Sequence, residues 1–478
     1  MESHNHSQKV TSTRASELTR KRVVIFVAIF LLAFGVRFLT MQFMKSHLLD
    51  PSWFQSGSYK IFDKQATNIL TGQEALFWIS DATRTDLAQY PPAFPWWIAL
   101  IYRITGDHSS YSVQRVQWVF DLVLSLFLIT GITVTSFGWR AAIAASFLAA
   151  LSPLLAMYGS WPSSDAPTSW LVLGAAWMLL VAAKRSNAKW AVGSGLLLGV
   201  ACWMRVNPLF LSLTWALALL LLLRTPWRER ARLSMVVAFS ALILVAPITI
   251  RNALVFHEFL PNGLNVGVNL WEGLGETDRG VQAGMVIGDH LMLEIERKKL
   301  NLQGDTSVDL AYPDGIRRDR QRVKESLEVI AANPLWYVGV MTRRALGLLK
   351  LAGDPVPFQG SPGINVTSKK CLPPAWQGGV LAVVVDGLGM VQSIVRYISL
   401  PLMVLGIWFG FRANRLASSL LLIGILYYLL TNSVAHTEMR YALPMYGLLF
   451  VFAGLAVSQS IEKLAAHKIF RRVPRKPT

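Results

Sequence analysis

Tyr90-Pro91-Pro92-Ala93-Phe94-Pro95-Trp96-Trp97 closes the first long polar segment of an otherwise apolar chain. Three prolines within six residues stop a helix from running through, so the backbone must bend here. The run Trp96-Trp97-Ile98-Ala99-Leu100 then passes from interfacial aromatics into apolar residues, as expected at a membrane surface. The polar segment ahead of it carries Asp50, Asp63, Asp81 and Asp86. The expectation is that this loop roofs an active site on the outer face of a membrane.

Composition supports the membrane. Of 478 residues, 53% are hydrophobic and only 15% charged, with a mean hydropathy of +0.41. A soluble chain of this size would carry about 25% charged residues. The net charge of +18 is gathered in short connectors and at both termini, which reads as a topology signal and excludes nucleic acid as the expected partner. Cys202 lies in an apolar run, far in sequence from Cys371, and both are expected as free thiols.

A spanning helix needs ~20 mainly apolar residues. On that rule ten spans follow, near 23–44, 113–135, 141–158, 166–183, 190–204, 208–223, 233–250, 394–411, 416–435 and 441–460. Residues 93–104 are too few to cross and read as an interfacial or re-entrant helix. The chain divides into a basic tail (1–22), an N-terminal membrane core (23–251) with a first outer loop (45–111), an outer segment (252–392), C-terminal spans (393–462) and a second basic tail (463–478). With both termini cytoplasmic, every short inner connector holds Arg or Lys. Within the outer segment, Val323, Leu327 and Ile330 recur at helical spacing and predict an amphipathic helix. Leu335–Leu351, interrupted by Arg343-Arg344, predicts an interfacial one.

Charges inside a bilayer cost about 2.5–3.5 kcal/mol each at a helix centre, so those at span ends draw attention. Asp165, Arg205, Arg251, Glu438 and Arg440 all fall on the outer side. Asp165 opens a span behind Ser163-Ser164. It reads equally as part of a helix start and as a catalytic or acceptor-orienting carboxylate. Arg205, Arg251 and Arg440 read either as arginines reaching the headgroups or as a bidentate clamp on a phosphate. Glu438 and Arg440 also read as an interfacial salt bridge. For Arg37, inside the first span, reaching to the headgroups is the default. No internal repeat of the kind that builds transporters is evident.

In order along the chain, Ala66-x-x-Ile69-Leu70-x-Gly72, Tyr90-Pro91-Pro92-x-x-Pro95, Asp165-Ala166-Pro167, Met204-Arg205-x-Asn207-Pro208, Pro247-x-x-x-Arg251-Asn252 with Asn269-Leu270-Trp271-x-Gly273, and Glu438-x-Arg440-Tyr441-x-x-Pro444 resemble the GT-C superfamily of polyprenyl-phosphate-sugar-dependent glycosyltransferases. They are most similar to the branch holding protein O-mannosyltransferases (family 39) and bacterial aminoarabinose transferases. The resemblance covers roughly residues 23–270 and 430–455.

It implies an all-α polytopic bundle of about ten transmembrane helices, in the plasma (inner) membrane, with interfacial helices in the first outer loop. It also implies transfer of a sugar, with inversion, from a polyprenyl phosphate to an acceptor glycan, lipid or protein. Arg205, Arg251 and Arg440 would hold the leaving phosphate, and Tyr90, Glu438, Tyr441 and Asn269 would bind donor or acceptor. The base would be an acid of the first loop. One departure stands out: counting eight residues back from Ala66 gives Ser58, where such proteins carry an Asp. Asp63, Asp50 and Asp165 remain the candidates. No His/Cys cluster with metal-ligand spacing is present, so no metal site is assigned, and the outer carboxylates leave a divalent ion open. A flippase of lipid-linked sugars and a catalytically silent lipid-phosphate binder are the alternative readings.

Overall fold

The computed structural model describes residues 2–49, 54, 58–73, 82, 84–299, 314–351 and 366–472, with side chains from residue 20 to 466 apart from Asp86. Asp50 and Asp81 lie outside the described residues. Among those described, every regular element is helical. Seven helices are long and apolar enough to cross a membrane, and an eighth span follows if the bent pair Trp139–Leu151 and Pro153–Gly159 is counted as one. Two shorter apolar helices, Ala188–Met204 and Leu211–Leu222, occupy the remaining two expected spans, at roughly 25 and 18 Å of axial rise. The chain is an all-α polytopic membrane protein.

The 64° bend between Trp139–Leu151 and Pro153–Gly159 has a local cause. Pro153 cannot donate to the preceding turn, and Ser152 restarts the helix by accepting Leu155 N–H at 3.3 Å on its hydroxyl. The bend delivers Trp161 to the end of the bundle where the charged residues gather. Close helix contact depends on missing side chains elsewhere. A Cβ at Gly406 would run into the Phe452 backbone of the last span, so these two helices pack backbone to backbone.

The Tyr90 loop leads into helix Ala93–Thr105, about 20 Å long and too short to span. The preceding residues are stitched to distant segments: Leu264 N–H donates to Ala88 O at 3.0 Å, Asn265 Nδ2 to Gln89 O at 3.0 Å, and Gly315 N–H to Thr85 Oγ1 at 2.8 Å. The roof loop and the long segment after the seventh expected span therefore form one layer.

That long segment differs from its expected limits. The helix before it runs on to Phe256 and the one after it begins at Val380, so residues 257–379 are what lies between. Helix Gly315–Ala332 forms as expected, yet it buries a polar stripe. Arg318, Asp319, Arg322 and Ser326 face inward while Leu327 is 52% exposed. The reason is pairing. Arg318 and Arg322 both grip Glu296, and Asp319 accepts the Gly267 and Val268 N–H groups at 3.0 and 3.3 Å, capping helix Val266–Gly275. Helix Pro334–Leu348 likewise turns Arg344 inward. Cys202 and Cys371 are both free and buried.

Arg37 overturns the headgroup reading. It is fully buried, and its Nε lies 2.9 Å from Asp121 Oδ2 in a neighbouring span. The Asp121 carboxylate also accepts Ser125 Oγ at 2.5 Å and Trp170 Nε1 at 3.0 Å. A Cβ at Gly159 would collide with this carboxylate, so glycine there makes room for the pair.

Candidate active site

A continuous charged chain runs across one end of the bundle. Asp165 is the first residue of its helix, and it does not cap that helix. Its Oδ1 holds Arg205 Nη1 at 2.5 Å and its Oδ2 accepts the Ser163 hydroxyl at 2.8 Å. Arg205 ends helix Ala188–Met204 in extended backbone, and its guanidinium lies 4.5 Å from the centre of the Tyr441 ring. Arg440 sits 5.2 Å from the same ring and 5.9 Å from that of Trp161. Two cations thus flank one tyrosine.

Glu438 fixes Arg440, with Nη2 donating at 2.7 Å to Oε1. His436 bridges Glu438, 3.3 Å from Nε2, and Glu276, 2.5 Å from Nδ1. Arg344 closes the far end, 3.0 Å from Glu276 Oε2, while also donating to the Gly273 and Ser433 carbonyls. Asn269 contributes through its backbone: its carbonyl accepts His436 N–H at 2.7 Å, which holds the 434–438 turn in place.

Burial opposes a charge on His436, but the hydrogen bonds to Glu276 and Glu438 outweigh it and lift the imidazole to about 10. Burial also pushes the Glu438 carboxyl up, and Arg440 and His436 more than reverse this, holding it well below the usual carboxylate range. A raised histidine stabilises in full below its unfolded value of 6.5 and loses that contribution as pH rises through about 10. Thermal unfolding followed from pH 6.5 to pH 10 is therefore expected to show falling stability that His436→Gln flattens; an unchanged slope in the variant would refute the linkage.

Tyr90 opens the proline-rich loop. Its hydroxyl lies 3.4 Å from Ser58 Oγ, and its ring packs edge-on against Phe62. Burial, with the negative charge of Asp289, pushes the phenol up to about 12, against the pull of Ser58, Arg440 and Arg205. Asp63 is engaged elsewhere. It accepts the Tyr102 hydroxyl at 2.6 Å, and Tyr102 in turn meets Tyr59 at 3.0 Å, bracing helix Ser58–Leu70 against Ala93–Thr105. Arg251 is buried inside a helix that continues past it, and its Nε and Nη2 donate to Asn252 Oδ1 at 3.0 and 2.6 Å. Asn252 ties the 260–262 turn through the Leu260 and Asn262 carbonyls. The described contacts of Arg251 do not link it to Arg205 or Arg440.

The structure thus brings together Asp165, Arg205, Glu438, Arg440 and Tyr441, while the described contacts of Tyr90 are with Ser58 and Phe62. Sequence reasoning passed over Glu272, Glu276, Asp289, Arg344 and His436. For Glu272 a signal existed: it is the unspecified position inside Asn269-Leu270-Trp271-x-Gly273. Among the described residues no group of three or more His, Cys, Asp or Glu side chains is placed to hold a metal ion.

Residues 89–250, from the roof loop through the seventh expected span, match the family model described as dolichyl-phosphate-mannose-protein mannosyltransferase. No curated protein matches the chain. Among solved structures the chain is similar to the archaeal oligosaccharyltransferase AglB from Archaeoglobus fulgidus in complex with an inhibitory peptide and a dolichol-phosphate. That match has 12% identity and a TM-score of 0.49, covering 96% of this chain and 52% of the other. It is also similar to ArnT from Cupriavidus metallidurans bound to undecaprenyl phosphate, at 16% identity and a TM-score of 0.37, covering 95% and 81%. The chain spans about half the length of the oligosaccharyltransferase structures it matches.

Proposed function

We propose that this chain, whose residues 89–250 match the mannosyltransferase family model and whose motifs resemble those of the GT-C glycosyltransferases, moves a sugar from a polyprenyl phosphate to an acceptor at the extracytoplasmic membrane surface. One observation carries the reading. Arg205 and Arg440 flank Tyr441, each fixed by a carboxylate, and each side chain keeps about a fifth of its surface open, 23% and 22%. A guanidinium held by one carboxylate has donors to spare for a phosphate.

In this reading the arginines hold the donor phosphate and stabilise the charge that grows on it as the anomeric C–O bond breaks, usually the largest electrostatic contribution in such a reaction. Asp165 and Glu438 orient the arginines, and Tyr441 separates them. Asp63 braces the first loop rather than acting as base. Arg251 supports the turn behind the site. The basic connectors at Arg140, Lys184-Arg185 and Arg224–Arg232 support a cytoplasmic placement of the opposite end and both termini.

The test is purified protein in proteoliposomes supplied with labelled undecaprenyl-phosphate-mannose and a membrane-extract acceptor. Labelled product and free undecaprenyl phosphate are expected together. Flux of intact donor across sealed vesicles with no glycosidic chemistry would instead establish a flippase.

A further inference from the structure

Helix Val266–Gly275, which carries Asn269-Leu270-Trp271-x-Gly273, lies directly against the 434–438 turn. The Asn269 carbonyl accepts His436 N–H at 2.7 Å, and a Cβ at Gly273 would come within 2.5 Å of the same nitrogen. Only glycine lets the two backbones meet there. Thr437, fully buried, donates its hydroxyl to the Asn432 carbonyl at 2.7 Å. These contacts hold one side chain in one place, the imidazole of His436, which is 7% exposed.

Both ring nitrogens of that imidazole face carboxylate oxygens, Nδ1 that of Glu276 at 2.5 Å and Nε2 that of Glu438 at 3.3 Å. A neutral imidazole donates from one nitrogen only, so both contacts are satisfied only by the cation. Glu276, its side chain 2% exposed, is held in turn by Arg344 at 3.0 Å, from helix Pro334–Leu348. At the other end Glu438 Oε1 accepts Arg440 Nη2 at 2.7 Å. Arg440 has no long helix of its own to stiffen it, since it sits in the four-residue 3₁₀ helix Met439–Ala442. Its hydrogen-bonded anchor is Glu438, and behind Glu438 stands His436.

We propose that His436 is a positioning residue for the donor phosphate: a cation between Glu276 and Glu438, it fixes the Glu438 carboxylate and through it aims Arg440. Arg344 anchors this chain of contacts in the long segment after the seventh expected span. The assignment rests on the phosphate-holding part of the reading above. A carboxylate gripped only by the arginine it binds swings with that arginine, and the guanidinium then keeps its charge but loses its direction. Gripped from behind as well, it holds the remaining donors of Arg440 on one line of approach. Asn269 and Gly273 belong to the same device. They set how closely the turn approaches the helix, and that distance sets where the imidazole stands.

Affinity for undecaprenyl phosphate, measured on the full-length protein in nanodiscs, tests this by double-mutant cycles. His436→Gln is expected to bind it about tenfold more weakly, as for one impaired hydrogen bond to a charged group. In an Arg440→Ala background the same substitution should cost less than about twofold, because the group it positions is gone. In an Arg205→Ala background it should keep its full cost. Glu276→Gln, which keeps the shape of the side chain and removes its charge, is expected to follow the same pattern with a smaller loss, and it carries the test where His436→Gln does not fold. Equal losses in all three backgrounds, or no loss in any, would overturn the assignment, the first by showing a general loosening of the fold. Turnover of undecaprenyl-phosphate-mannose is read on the same samples. A wild type that binds undecaprenyl phosphate with the expected pattern but forms no product would sink the transferase reading and leave the positioning role standing. A wild type that does not bind undecaprenyl phosphate would sink both.

Discussion

Alanine at Arg205 is expected to slow release of undecaprenyl phosphate by about 10²- to 10³-fold in single-turnover measurements, the range seen when one preorganised donor to a developing anion is lost. Three features make the effect large. The guanidinium is fixed on Asp165 at 2.5 Å, its plane is backed by Tyr441 at 4.5 Å, and its side chain remains partly open. Removing it costs more than one hydrogen bond, because Asp165 is left buried without its cation. Arg205→Lys is expected to recover only part of the rate, since an ammonium cannot hold a carboxylate and a phosphate in one plane. The chemical step should carry the loss while undecaprenyl phosphate still binds through Arg440. A variant turning over at the wild-type rate would remove Arg205 from the site.

The second large effect concerns stability. Arg37→Gln and Asp121→Asn, made singly, are each expected to destabilise the detergent-solubilised protein by about 3–5 kcal/mol, the usual consequence of leaving one charge of a buried pair uncompensated. Together they should cost clearly less than the two single losses combined, because the double variant buries no lone charge. Equilibrium unfolding of all four proteins checks this. Additive losses would mean that the 2.9 Å contact contributes no coupling. Asp121 also anchors Ser125 and Trp170, so its single replacement should be the more damaging.

The two effects mark different limits of sequence reading. Arg37 and Asp121 were each visible as a charge within an apolar run, and opposite charges in neighbouring spans are themselves a pairing signal. Arg37 was read alone, and alone a long cationic side chain near a span end reaches for the headgroups. Asp165 was equally ambiguous, as a helix start or a site carboxylate. The structure shows only that it does not cap its helix, since both its oxygens are bonded elsewhere, and its partner Arg205 is forty residues away.

Helix Gly315–Ala332 shows the same limit in the layer over the site. The spacing of Val323, Leu327 and Ile330 located the helix. Ile330 packs against the apolar cluster beside it, but the pattern did not show that Arg318, Asp319 and Arg322 are buried as well, because they find partners on two other helices, and a paired charge can be buried where a lone one cannot.

What the sequence by itself determined is the all-α membrane bundle and its helix breaks. A bilayer demands about 20 apolar residues per crossing, and proline cannot donate to a preceding turn, so both signals are local and survive without knowledge of neighbours. The bend that Tyr90–Pro95 imposes is of that kind. What only the tertiary structure decided is which charges meet. His436 joins Glu276 and Glu438, Arg344 reaches Glu276, and the Tyr90 hydroxyl meets that of Ser58. The longest of these contacts joins residues 160 positions apart, and electrostatic pairing depends on distance and burial in space, which no local pattern encodes.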